Sequence, residues 1–95
     1  MLGKHKIIWS AQSDEDVEWI IKFLERVWTE REVLIFLEQL RKFETIVKRF
    51  PEIYPESHKA KGLRKAVINP NISVLYKIDK DIIRIVTVID NRAEN

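Results

Sequence analysis

The sequence has no cysteine. That excludes a disulfide framework, a zinc–thiolate centre and thiolate catalysis, and it fits a reducing compartment. Nor is there any run approaching the roughly 18 consecutive apolar residues of a membrane span. The opening stretch "MLGKHKIIWS" is basic but lacks the apolar core of a secretory signal. Neither a membrane nor a secreted protein is expected, which leaves the cytoplasm. His5 and His58 stand apart from any His or carboxylate at metal-ligand spacing, so no metal or cofactor is expected. Internal repeats and low-complexity segments are also missing.

Carboxylates are scarce too, but only locally. Residues 1–50 hold nine basic and nine acidic side chains, whereas Ser57 to Ile78 hold five basic residues and no acid. Four of the five, Lys59, Lys61, Arg64 and Lys65, fall within "HKAKGLRKAV". In a chain of formal net charge +2, a local field of one sign says more about partners than the total does. It points to phosphate or to an acidic protein segment. Composition alone also offers a plainer account, a solvated edge whose lysines discourage strand-to-strand aggregation.

What is present is ordinary globular material. A chain of 95 residues, 45% hydrophobic and 34% charged, supports one modest core and not two, so residues 1–95 are read as a single domain. "KHKIIW" at 4–9 reads as a short first strand. Ser10 and Ser13 offer N-caps ahead of Asp14, Glu15 and Asp16, an acidic first turn that a helix dipole favours. Val17, Ile20, Ile21, Leu24 and Trp28 then recur at helical spacing, predicting a helix over about residues 11–28.

Thr29 and Glu32 have the form of a capping box, which restarts the chain as a second helix. Its apolar stripe is Val33, Phe36, Leu37, Leu40, Phe43, Val47 and Phe50, and Pro51 closes it. So short a joint requires an antiparallel helical hairpin. After a proline-punctuated loop, β-rich runs at 63–68, 72–78 and 82–89 are separated by "NPN" and "DKD", both of hairpin length. The predicted fold is α+β, in the order β-α-α-β-β-β, with the helical hairpin on one face of a small antiparallel sheet. The other face is left open, with Arg64 on it and Lys65 pointing the opposite way.

These features together resemble the RelE/ParE superfamily of bacterial toxins from type II toxin–antitoxin pairs, also known as plasmid stabilisation proteins. The matching stretches are "IIWS" before an acidic helix start, "FLEQLRKFETIVKRFPEIYP", "LRKAVI", "SVLYKID" and "IIRIVTVIDNR". They span about residues 6–92, and the "DNR" ending is similar to ParE-type members. The resemblance implies a growth-inhibiting toxin that a cognate antitoxin neutralises. RelE-like members cut mRNA on the ribosome, ParE-like members poison DNA gyrase, and fold alone does not choose between them.

Metal-free RNA cleavage needs a base for the 2′-hydroxyl, cations for the phosphate and an acid for the leaving oxygen. By resemblance to the RelE branch those roles fall to Lys59, Lys61, Arg64 and Arg92. The terminal Tyr or His of that branch is missing, since only "AEN" follows Arg92. The expectation is therefore a ParE-like, gyrase-directed inhibitor contacting its target through Lys61, Arg64 and Arg92. The alternatives are a ribosome-dependent mRNA endoribonuclease, or a non-toxic RNA- or protein-binding module of the same fold. Trp19 and Phe23 fall off the first helix's apolar stripe. They mark either a partner surface, which the resemblance would assign to the antitoxin, or a patch covered by a terminus or by the second helix.

Overall fold

The computed structural model describes residues 5–91. The elements follow the order β1 (Lys6–Trp9), α1 (Ala11–Val27), α2 (Glu30–Arg49), β2 (Arg64–Asn69), β3 (Ile72–Asp79) and β4 (Ile82–Asp90). Helix α1 starts where Ser10, in extended conformation, accepts a hydrogen bond from Ser13 N at 3.0 Å. Ser13 is no cap; it is buried inside the first turn and donates back to the Ser10 carbonyl at 2.8 Å. The Thr29 capping box does not form, because the Thr29 side chain makes no cap hydrogen bond. Only its carbonyl is used, accepting from Glu32 N at 3.0 Å.

The two helices pack through Ile20 and Leu24 of α1 and through Val33, Phe36, Leu40, Phe43 and Val47 of α2. Those α2 positions alternate three and four apart, which keeps one stripe on the sheet. Leu37 and Phe50, expected in the stripe, are exposed. Leu37 lies about 100° around from Phe36. Phe50 follows the last helical residue at φ −132°, so its ring leaves the helical register.

The sheet has the order β1-β4-β3-β2 and is mixed, not antiparallel as expected from sequence. β2–β3 and β3–β4 are antiparallel hairpins, while β1 runs parallel to β4, pairing Lys6 with Ile82 and Trp9 with Ile85. The reason lies in the joint after β1. Ser10 continues the ladder by donating to the Ile85 carbonyl at 3.0 Å, and Asp16 then accepts from Val88 N at 2.9 Å. Helix α1 thus carries on in the direction of β1 beside β4, and α2 brings the chain back. β2 then starts at the same end as β1, and two hairpins later β4 runs the same way.

Ile7, Trp9, Ile83, Ile85, Val74, Tyr76 and Ala66 face the helices and form or join the core. Among the described residues no helix covers the opposite face, which is overhung at one end by the segment 55–60.

Candidate functional site: a cationic depression on the open face

The segment between Phe50 and Arg64 carries the basic cluster, and two side chains from the core side hold it in place. Tyr76, fully buried against Phe43, donates its hydroxyl to the Pro51 carbonyl at 2.5 Å. Arg64 donates to the carbonyls of Tyr54 at 2.7 Å and Glu52 at 3.3 Å. Burial pushes the Tyr76 phenol up to about 12, with the nearby Arg64 charge opposing the rise. Burial raises Tyr54 as well. Both phenols therefore stay neutral across the physiological range, and Tyr76 acts as a structural donor.

From Pro55 onward the segment runs back along the outer edge of β2. Lys65 N donates to the Pro55 carbonyl at 2.9 Å and Ser57 N to the Leu63 carbonyl at 2.8 Å. The Ser57 hydroxyl accepts from Lys59 N at 3.2 Å and Ala60 N at 3.1 Å, which rolls "SHKA" into a tight turn. Gly62, at φ 82°, supplies the left-handed residue that lets the turn rejoin β2.

The turn overhangs the open face and encloses a depression of about 360 Å³. Its floor is Leu75 and Ile89, and His58, Lys59 and Lys65 stand around it with one carboxylate, Glu56. The arrangement suits an anionic group that also brings apolar surface. Among the described residues no group of His and carboxylates is placed to hold a metal ion.

The sequence-predicted residues divide. Lys59 lines the depression; Lys61 is exposed at the turn beside it and does not line it. Arg64 is not on the open face. It pairs across the ladder with Tyr76 and shares that residue's helix-covered side, its side chain 22% exposed. Lys65, expected to point the other way, is the open-face residue. The cause is a bulge between Val67 and Asn69. Counting back from the turn without it would set Lys65 opposite Tyr76; the extra residue moves every upstream side chain to the other face. His58, considered above only as a metal ligand, also lines the depression, and its neighbour Lys59 in the basic run is the available signal. Arg92 lies outside the described residues.

On the helical side, Trp19 and Phe23 stack at 5.6 Å with planes 10° apart. Trp19 is 51% exposed, whereas Phe23 is partly buried and packs against the core.

Comparisons with known proteins agree with this architecture. The family model described as "ParE toxin of type II toxin-antitoxin system, parDE" matches residues 7–94. Among solved structures, a chain of the chromosomal ParDE system from P. aeruginosa superposes with a TM-score of 0.79 at 11% identity, covering 93% of this chain and 97% of that one. The E. coli DinJ–YafQ toxin–antitoxin complex gives 0.63 at 20% identity, covering 95% and 96%. The S. aureus YoeB dimer gives 0.60 at 17%, covering 90% and 95%. At such identities these likenesses speak for the fold alone. No curated protein matches. The family match covers nearly the whole chain and coincides with the predicted order of elements: this protein belongs to the ParE toxin family of type II toxin–antitoxin systems.

Proposed function

We propose that the chain inhibits growth by binding DNA gyrase, without catalysing a reaction, and that a cognate antitoxin neutralises it. The observation that carries this reading is the composition of the open-face depression within a ParE-family chain. It offers Lys59, Lys65 and His58 over an aliphatic floor, with the one carboxylate Glu56 among its lining, while Tyr76 is a buried donor and Tyr54 packs against the core on the other side of the sheet. Such a surface binds an anionic partner more readily than it delivers a proton. Lys59 and Lys61, with Arg92 from the end of the chain, are the proposed target contacts. The contact expected of Arg64 passes to Lys65, and Arg64 becomes the residue that positions the loop.

The antitoxin is proposed to dock on the outer side of the helical hairpin. The support is the half-exposed Trp19 on its Phe23 stack, continued by exposed Val27 and Trp28. E. coli YafQ, which shares the fold, is seen in complex with DinJ.

One observation favours a second reading. His58 stands in the depression beside Lys59 and Lys65, where it could move a proton in ribosome-dependent mRNA cleavage. The readings separate in two parallel assays of the purified chain, gyrase supercoiling and primer extension on translated mRNA. Loss of supercoiling with intact mRNA is the expected result. Cleavage at fixed codon positions, abolished by His58→Gln, would replace the gyrase reading with the ribonuclease one.

A further inference from the structure

The strand register places one cation per strand in a line across the open face. Lys6 is on β1, Arg84 on β4, Lys77 on β3 and Lys65 on β2. Their face follows from their neighbours. Ile7, Ile83, Ile85, Tyr76, Ile78 and Ala66 all form or pack against the core, so the alternating residues point away from the helices. Arg84 lies directly opposite Lys77. Lys6 is the diagonal neighbour of Arg84, since Ile8 is the residue paired with it, and Lys65 is the diagonal neighbour of Lys77, since Leu75 is its own partner. Both diagonals step the same way, so the four charges form an oblique band about 20 Å long at ordinary strand spacing.

Only one of the four is neutralised. Arg84 Nε meets Asp79 at 3.5 Å, while among the described residues Lys6, Lys77 and Lys65 meet no carboxylate at ion-pair distance. Like charges facing each other across a ladder, as Lys77 and Arg84 do, oppose the pairing of their strands. An anion lying over them would relieve that. Aliphatic side chains flank the band, with exposed Ile8 beside Arg84, and exposed Val67 and the Leu75 floor beside Lys65. No aromatic side chain of the described strands points to this face, so there is no platform on which bases could stack.

From the register and these flanking aliphatic side chains we propose that the open face is a docking surface for an extended acidic segment of a partner protein. Its carboxylates would alternate with aliphatic residues and lie along Lys6–Arg84–Lys77–Lys65. About six residues of extended chain span the band. The proposal goes beyond the choice of gyrase or mRNA, and its test uses neither.

The test titrates the full chain against a fluorescein-labelled peptide of alternating glutamate and valine, about ten residues long, followed by anisotropy. A single-stranded thymidine oligonucleotide of equal charge is measured beside it. Lys77→Gln with Arg84→Gln should weaken peptide binding about tenfold. Lys22→Gln with Arg41→Gln removes the same charge from the exposed helical surface and should leave binding within about twofold. Circular dichroism verifies that both doubles fold. Equal weakening by the two doubles would reduce the effect to net charge and overturn the proposal. So would tighter binding of the oligonucleotide through Lys77 and Arg84, or no peptide binding by the wild-type chain.

Discussion

Removing the Arg64 guanidinium distinguishes a loop clasp from a target contact. Its side chain is 22% exposed and donates to two carbonyls of the preceding loop, at 2.7 and 3.3 Å. The shorter bond is a full charge-assisted hydrogen bond, about 1.5–3 kcal/mol. The longer adds little, and the Glu56 pair, at 4.0 Å with Glu56 74% exposed, adds less still. Arg64→Met should therefore cost about 2 kcal/mol, which for a domain of this size lowers Tm by roughly 8–16 °C. In urea the midpoint should fall by about 1 M with the m-value unchanged. Arg64→Lys should recover under half of the loss, because a strongly hydrated ammonium on a flexible stem loses more freedom and hydration at this partly buried site than the planar guanidinium, whose Nη1 makes both bonds. Wild-type stability in Arg64→Met together with lost target binding would refute the clasp and return Arg64 to the site.

Three further outcomes follow from the geometry. Tyr76 keeps its proton to about 12 in the folded chain against an ordinary 10, so the folded state binds the proton more tightly. Its contribution is complete below pH 10 and fades as pH rises towards 12; an alkaline titration by circular dichroism should show that loss, and Tyr76→Phe should lack it. Asp16 accepts from Thr87 Oγ1 at 2.6 Å and Val88 N at 2.9 Å, closing the edge of β4 that β1 is too short to cover. Asp16→Ala should cost roughly 2–3 kcal/mol in chemical denaturation. Trp19→Ala should cost under about 1 kcal/mol and Phe23→Ala about 2, in line with their burial, while each weakens antitoxin binding measured by calorimetry.

Local rules carried far in this chain, and non-local ones set the limit. The helices could be read from sequence because Val33, Phe36, Leu40, Phe43 and Val47 repeat at helical spacing and Ser10 caps α1 by a bond to a residue three positions on. The hairpin turns were marked by "NPN" and "DKD"; Asn69 Oδ1 does accept from Asn71 N and Ile72 N to close the first. The parallel β1–β4 pairing had no local signal, since it depends on α1 leaving β1 without reversing. The open-face cation was misread for a narrower reason. A single bulged residue after Val67 exchanges the faces of Arg64 and Lys65, and nothing in "RKAVIN" announces it. The oblique band of cations was invisible for the same reason, because it exists only once the register of four strands is known.

Hydrogen–deuterium exchange of the chain with and without gyrase holoenzyme tests most directly whether the open face is the working surface. The account predicts that protection appears in residues 58–67 and in the β3 segment 73–77, with the outer side of α1 and α2 unchanged. Protection confined to the helical hairpin, or no protection anywhere, would contradict it.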